Sequence, residues 1–149
     1  MTITIDPSIE ACQALVTQIN AGSYGTSVTA EYREEQIDPL EGVSTTLLAT
    51  VVPVDEEQLN ETLGDDRTSH NIRVYIRQKV GSAEPATIDA LKLIVRKIWN
   101  QLNDFDSVDG RVRVWECDQD AKQKPDKDAL KDMGLFLASI NLRVEVEAS

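Results

Sequence analysis

The sequence predicts an α+β fold, with two helices packed on one side of a mainly antiparallel sheet of four to five strands. Two segments, near residues 7–20 and 88–102, repeat apolar residues with the period of a helix. The other patterned segments alternate apolar and polar residues, as half-buried strands do. Their order along the chain is α-β-β-β-α-β-β, which is typical of helices covering one face of an antiparallel sheet.

The first helix is predicted over residues 7–20. Asp6-Pro7 supplies an N-cap followed by a proline in the first turn, where its missing N–H is not needed. One apolar stripe then follows at helical spacing. Its members are Ile9, Cys12, Val16 and Ile19. The helix is expected to end at Asn20-Ala21-Gly22.

Two strands are predicted to follow. Residues 28–33 alternate in a short strand. Residues 43–54, VSTTLLATVVPV, are rich in β-branched residues, and this strand should end near Pro53, since proline cannot donate to a sheet ladder. Both faces of the second strand carry apolar residues, so we expect it to be central and covered on both sides.

Residues 70–80, HNIRVYIRQKV, predict a strand with two unlike faces. The apolar face carries Ile72, Val74, Ile76 and Val80. The polar face carries Arg73, Tyr75, Arg77 and Lys79. A face with three cations and no acid is unexpected in a chain with a formal net charge of −11, so it needs an acidic partner inside or outside the chain.

The second helix has the clearest pattern in the sequence. Its apolar positions recur at alternating spacings of three and four residues. They are Ile88, Leu91, Val95, Ile98 and Leu102. Two strands complete the fold, one over residues 111–117 and a longer one within residues 133–149, where Leu142 and Val144 alternate with Arg143 and Glu145.

A single domain over residues 1–149 is expected, with long charged loops at about 55–69 and 118–130. Connections of this length without regular structure usually carry function, although a helical turn around Leu59 and Leu63 is possible on the pattern. The chain start predicts no signal peptide, and no segment has the length of apolar sequence that a membrane span requires. Cys12 and Cys117 are expected to be reduced and apolar in character.

The charge is distributed unevenly along the chain. Residues 1–66 contain 13 acidic residues and Arg33 as the single cation, whereas residues 67–149 contain 14 cations and 13 acids. In molecules with such unequal halves, the acidic part of one copy can bind the basic part of another. The alternative is that the acidic loops only keep a monomer soluble.

The sequence offers little for catalysis or metal binding. His70 is the only histidine, and its place at the start of a strand predicts a surface or capping residue. No Ser or Cys in a nucleophile signature lies beside it. The acids in residues 104–110 do not match the ligand spacing of an EF-hand loop. No glycine-rich phosphate loop is present.

The residue types in the sequence are also compatible with two other functions. A metal-dependent nuclease would need acids and a lysine around magnesium. The candidates for that site are Glu116, Asp118, Asp120 and Lys122. A single-strand nucleic-acid platform would combine arginines with aromatic side chains on neighbouring strands. The candidates for that platform are Arg73, Arg77, Arg111, Arg113, Tyr75 and Trp115.

Several patterned segments together resemble tail-terminator-like neck proteins of tailed bacteriophages. They are IDPSIEACQALVTQIN, TTLLATVVPV, HNIRVYIRQKV, ATIDALKLIVRKIWNQL and KDALKDMGLFLASINLRVEV, in that family's order and over most of the chain. The proline after the second strand and the basic strand before a long helix match best. A stopper or other head-to-tail joining protein has a similar pattern.

The resemblance implies an α+β virion protein without catalysis or cofactor. Such a protein forms a ring, typically hexameric, which ends growth of the tail tube, contacts the tail tube protein and the head-side connector or stopper, and leaves a channel for DNA. DNA would pass without sequence-specific binding, and no membrane is involved. The expected location is the virion neck, with assembly in the host cytoplasm.

The polar strand face therefore suggests a hypothesis about the contact between subunits. Cations on this face and on the following strand would meet acids of a neighbouring subunit or of the tube. The cations are Arg73, Arg77 and Arg113. The acids are Glu34, Glu35, Asp65 and Asp66. The alternative is that these arginines pair with Glu145 and Glu147 within one sheet.

Overall fold

The fold was obtained as a computed structural model that describes residues 6–33, 45–58, 67–81, 85–107, 109–119 and 134–147. Its elements are α1 (Pro7–Ala21), β1 (Val28–Tyr32), β2 (Leu47–Gln58), β3 (Arg67–Lys79), α2 (Pro85–Leu102), β4 (Val112–Gln119) and β5 (Leu135–Glu147). The order of elements confirms the predicted α-β-β-β-α-β-β arrangement. Two helices and a five-stranded, mostly antiparallel open sheet confirm the predicted α+β class.

The strands lie in the order β1-β2-β3-β5-β4. Only the pair β1–β2 is parallel, and the other pairs are antiparallel. The longest pairing joins β3 and β5 without a register shift, from Arg67 opposite Glu147 to Lys79 opposite Leu135. Strand β5 therefore separates β3 from β4, so the strands that carry Arg73 and Arg113 are not neighbours.

Both helices pack on one face of the sheet. The even-numbered residues of β3 and β5 point to this face, where Ile72, Val74 and Ile140 are buried with the helices in one apolar cluster. The predicted apolar stripe of α2 is buried along its whole length. In α1 the buried stripe consists of Ala11, Cys12, Leu15 and Ile19. Ile9 and Val16, predicted in that stripe, are only half-buried.

Local side-chain bonds fix the position of α1. The Asp6 carboxylate caps the helix by accepting from the Ser8 N–H at 2.9 Å and from the Ser8 hydroxyl at 2.6 Å. Gln18 and Gln101 exchange bonds between their carboxamides and main-chain carbonyls, at 3.0 and 3.2 Å, and so join α1 to α2. The helix bundle is thereby held together above the sheet.

Strand β2 does not end near Pro53 as predicted, but continues to Gln58. The Arg33 N–H donates to the Val51 carbonyl at 3.0 Å, so the backbone N–H and C=O of Val51 face β1. Backbone groups alternate in direction along a strand, so those of Pro53, two residues later, also face β1. The missing N–H of Pro53 therefore ends the pairing with β1 and leaves the ladder with β3 intact. A register shift follows between Pro53 and Asp55.

Both charged loops are shorter than predicted. Residues 55–58 and 67–69 belong to β2 and β3, because the hairpin pairing outweighs their low strand propensity. Strand β4 likewise continues through Gln119. The remaining loop residues, including the predicted turn at Leu59 and Leu63, lie outside the described part of the chain.

His70 is not a surface residue as predicted. Strand β3 begins at Arg67, three residues before it, so His70 lies inside the strand and points to the helix side, fully buried. Its Nε2 atom lies 2.6 Å from the Thr68 hydroxyl. This position gives the histidine a packing role in the core.

Both outer strands of the sheet bond to their own chain on the outer side. In β1 the Ala30 N–H donates to the Asn20 carboxamide oxygen at 3.0 Å. In β4 the Val114 N–H donates to the Phe105 carbonyl at 2.8 Å, and the Trp99 indole N–H donates to the Cys117 carbonyl at 3.2 Å. These bonds protect part of each sheet edge from pairing with another chain.

A pair of leucines on α2 tests the position of the core. Leu91→Ala should lower the free energy of unfolding by about 2–5 kcal/mol, because Leu91 is 6% exposed and its removal leaves a cavity. Leu93→Ala, two residues away and 55% exposed, should change it by less than about 0.5 kcal/mol. Urea unfolding of both variants would measure this, and equal losses would contradict the assigned helix orientation.

The Asp6 cap gives a pH-dependent prediction. Its bonds to Ser8 hold the pKa of the Asp6 carboxyl below the usual 3.8, so the charged cap stabilises the fold above that pH and is lost as pH falls through the lowered value. Asp6→Ala should cost about 0.5–2 kcal/mol at neutral pH. Unfolding measured from pH 7 to pH 3 should show this difference shrinking in acid, and a constant difference would contradict a charged cap.

Candidate interface on the open face of the sheet

The sheet face opposite α1 and α2 is called the open face here, because neither of these helices packs on it. It carries the odd-numbered residues of β3 and β5. Cross-strand register arranges its side chains in rows. One row is Glu31, Thr50, Tyr75 and Ser139, the next is Val52, Arg73 and Asn141, and the next contains Asn71, Arg143 and Glu116.

Arg73 lies half-buried near the centre of the open face. Its Nε atom donates to the Asn141 carboxamide oxygen at 2.7 Å, and a terminal nitrogen donates to the Tyr75 hydroxyl at 3.2 Å. The guanidinium also lies 5.9 Å from the centre of the Tyr75 ring. Among the described residues no carboxylate forms an ion pair with Arg73.

Arg143 forms the second cationic point on this face. Its guanidinium lies 5.0 Å from the ring centre of Trp115 and 3.8 Å from the Glu116 carboxylate. A register shift in β4 between Val114 and Glu116 brings Trp115 to this position, where 43% of it remains exposed. Such shifts commonly re-aim side chains at functional surfaces.

The two arginines border one groove. It has a volume of about 380 Å³, and its polar lining comes from Asn71, Arg73, Glu116, Asn141 and Arg143. Arg73 lies opposite Asn141 in the register, and Asn71 lies opposite Arg143, so cation and carboxamide alternate across the floor. Among the described residues, the groove therefore brings together guanidinium and carboxamide groups and the Glu116 carboxylate.

Arg77, predicted to face a neighbouring subunit, is instead buried within its own chain at 2% exposure. It donates to the Thr50 hydroxyl at 3.1 Å and lies 3.8 Å from the Glu31 carboxylate, to which Thr50 also donates at 3.2 Å. Burial lowers the pKa of the Arg77 guanidinium, and the Glu31 charge opposes that effect. The prediction for Arg77 is wrong because β1 supplies an acid to this face.

Arg113 is exposed and lies opposite Glu145 in the β4–β5 register. The alternative hypothesis, in which the arginines pair with acids of the same sheet, requires this position. A small depression here is also lined by Asp106 and Glu147. Arg111 is used within the chain, since it donates to the Glu10 carboxylate and to the Glu147 carbonyl, each at 3.1 Å. Arg113 thus lies near these acids, but among the described residues it forms no ion pair with them.

The acids expected to oppose these cations lie outside the described residues. They are Glu34, Glu35, Asp65 and Asp66. The proposed contact between them and Arg73 or Arg113 stays a prediction. The alternative partners Glu145 and Glu147 do not contact Arg73, whose partners are Asn141 and Tyr75.

Arg143 and Trp115 were not predicted as interface residues. The alternation of the last strand places Arg143 on the polar face, but alternation does not reveal that β5 lies beside β3. Without that strand order, Arg73 and Arg143 cannot be assigned to one groove. The register shift that turns Trp115 towards Arg143 has no signal in the sequence.

The described residues offer no other candidate site. Among them, no group of three or more His, Cys, Asp or Glu side chains could hold a metal ion. Of the acids considered for a magnesium nuclease, Glu116 pairs with Arg143, and Asp120 lies outside the described chain with Lys122. Burial raises the pKa of the Cys12 thiol to about 12, so it is unreactive at neutral pH. Neither described helix is long and apolar enough to cross a membrane.

Comparisons with known proteins give a similarity of fold. The chain matches no family model and no curated protein. Among solved structures, it is similar to a chain of the structure described as "Virion of native gene transfer agent (GTA) particle". That likeness covers 95% of this chain and 96% of that chain, with a TM-score of 0.49 and 18% identity. At these values it carries no argument about function.

The buried Arg77 site can be tested through its acid. Glu31→Gln should lower the free energy of unfolding by about 1–3 kcal/mol, because it removes the charge that compensates a buried guanidinium. Arg33→Gln is the matched control, since Arg33 pairs with the same carboxylate at 3.7 Å but is 55% exposed in its side chain. Urea unfolding should show little change for the control, and equal effects would argue against a buried pair.

Proposed function

We propose that the protein is a structural component of the neck in a tailed-phage-like virion. Copies of the chain form a ring, which we take to be hexameric, on the end of the tail tube. The ring ends tube growth, joins the tail to the head-side connector and leaves a channel for DNA. No cofactor and no catalytic step are involved.

The composition of the open face is the observation that carries this proposal. Arg73, Tyr75, Trp115 and Arg143 stand together on a sheet face that neither described helix covers. Arginine, tyrosine and tryptophan are the residues that dominate binding energy at protein–protein interfaces. A virion component that works by fitting against other subunits requires such a surface.

The uneven charge of the chain supports a ring made of like subunits. Residues 1–66 carry 13 acids against one cation, whereas the cations of the open face belong to residues 67–149. A contact between unlike patches is heterologous, and it generates a closed ring when the rotation between subunits closes. Complementary charges also fix the orientation of the contact before the surfaces meet.

The sequence resemblance supplies the position in the particle. The segments that resemble tail-terminator-like proteins include the β3 sequence, which contributes Arg73 and Tyr75 to the open face. A strongly acidic ring also suits a DNA channel, because like charge prevents the duplex from binding to the wall. Stoppers and other head-to-tail joining proteins meet the same requirements.

Electron microscopy tests the proposed class directly. Purified full-length protein should be imaged in negative stain alone, with tail tubes that lack a terminator, and with DNA-filled heads. Rings at the ends of tubes are expected. Binding to heads without any binding to tubes would indicate a stopper instead, and binding to neither would overturn the proposal.

A charge reversal tests the role of the open face. Arg73→Glu should reduce capping of tail tubes by about tenfold or more, because the reversed charge repels the acidic partner surface. Arg96→Glu is the matched control, since Arg96 is exposed on the outer side of α2. Circular dichroism should show that both variants stay folded, and normal capping by Arg73→Glu would contradict this use of the face.

A further inference from the structure

We propose that two copies of the chain pair through the outer side of α2, with the two helices antiparallel and Leu93 at the centre of the contact. This contact is separate from the proposed ring and does not depend on it. Helix α2 lies on the side of the sheet opposite the open face, so the pairing does not involve Arg73 or Arg143.

A second stripe of residues runs along α2, opposite the stripe that packs on the sheet. Its members recur at spacings of three and four residues, which places them on one side of the helix. They are Ala86, Asp89, Ala90, Leu93, Arg96 and Lys97. All six are exposed. This outer stripe is the surface that α2 presents to another molecule.

Leu93 is the large apolar residue at the middle of the outer stripe. It is 55% exposed, whereas the other leucines and the isoleucines of α2 are all buried. Ala86 and Ala90 have short side chains, so a second helix can approach closely on this side. Covering Leu93 with a partner removes apolar surface from water, which favours association.

The charges of the outer stripe are separated along the helix. Asp89 lies one turn before Leu93, and Arg96 and Lys97 lie one turn after it, each about 4–6 Å away along the axis at 1.5 Å per residue. In an antiparallel pair centred on Leu93, each Asp89 therefore meets Arg96 and Lys97 of the other copy. A parallel pair would bring like charges together, so the order of charges favours the antiparallel orientation.

The charged side chains of the outer stripe are not used within their own chain. Among the described residues, Asp89, Arg96 and Lys97 form no ion pair and no hydrogen bond through their side chains. Lys92 lies about 100° around the helix from Leu93, at one flank of the stripe, and stays in solvent in such a pair. The acid and the two bases are therefore available to another copy.

The symmetry of the outer stripe identifies a second copy as the occupant. A contact with a twofold axis uses the same surface on both partners, so that surface must complement itself. Here Leu93 meets Leu93 on the axis, and the acid of each copy meets the bases of the other. At physiological ionic strength, charges more than about 8 Å apart are largely screened, so the net charge of −11 does not prevent the contact. A single helix pair buries less than the roughly 1,600 Å² of a standard interface, so the dimer should dissociate on dilution.

Analytical ultracentrifugation of the full-length chain without tail tubes tests the pairing. As its concentration rises, the wild-type protein should pass from the 16.5 kDa chain to a dimer. Leu93→Ala and, separately, Asp89→Lys should each raise the dissociation constant at least about tenfold, because the first removes the central apolar contact and the second sets like charges against each other.

A variant with exchanged charges tests the orientation of the helices. It combines Asp89→Lys with Arg96→Glu and Lys97→Glu, so the base now precedes Leu93 and the acids follow it. These charges complement each other in an antiparallel pair and repel in a parallel one. The exchange variant should therefore dimerise about as well as the wild type, although Asp89→Lys alone does not.

Asp106→Lys is the matched control for Asp89→Lys, since Asp106 is also exposed but lies outside α2. It should dimerise as the wild type does, and circular dichroism should show that every variant stays folded. A wild-type chain that remains monomeric at every concentration, or a dimer that survives both Leu93→Ala and Asp89→Lys, would overturn the contact. An exchange variant that stays monomeric would overturn the antiparallel arrangement. Leu93→Ala should still cap tail tubes, so this contact and the neck function can fail separately.

Discussion

The antiparallel pairing of β3 with β5 is the constraint on which the rest of the fold depends. The two strands pair over their full lengths, from Arg67 opposite Glu147 to Lys79 opposite Leu135, without a register shift. Side chains alternate strictly along such a ladder, so this one pairing sends Ile72, Val74 and Ile140 to the helices. It also sends Arg73 and Arg143 to the other face, where they border the groove.

The strand register determines which residues lie on each face of the sheet. The composition of the core and that of the candidate interface therefore depend on the same pairing. A shift of one residue in β3 would move the apolar residues out of the core and the arginines into it. The burial of the apolar side therefore specifies the positions of the exposed cations. The arrangement of side chains on the open face is set by packing on the opposite face.

Local sequence patterns were sufficient to predict the helices and strands, but not which strands lie next to each other in the sheet. The helical stripe from Ile88 to Leu102 and the alternation around Arg73 each depend on residues close in sequence, and both are confirmed. The strand order is not local, since β5 joins β3 from the far end of the chain. Loop lengths were overestimated for the same reason, because hairpin pairing recruits acidic residues that have low strand propensity.

Arg77 shows the limit of reasoning from alternation. Its position correctly indicated the polar face of β3, but a face is not the same as exposure. Parallel pairing places Glu31 of β1 opposite Thr50, and Arg77, which is buried, donates to Thr50 and lies 3.8 Å from the Glu31 carboxylate. Two arginines four residues apart on one strand thus have different roles: Arg77 stabilises its own chain, whereas Arg73 borders the groove.

The bonds along the outer strands affect how copies of the chain associate. Ala30 is bonded to Asn20, and Val114 to Phe105, so these main-chain groups are already used at the two margins of the sheet. A second chain is therefore less able to extend the sheet by backbone hydrogen bonding at those margins. In the proposed ring, neighbouring copies would therefore meet through side chains rather than through a shared sheet. Contacts of that kind between charged groups weaken as salt is raised, so the ring could be taken apart without unfolding its subunits.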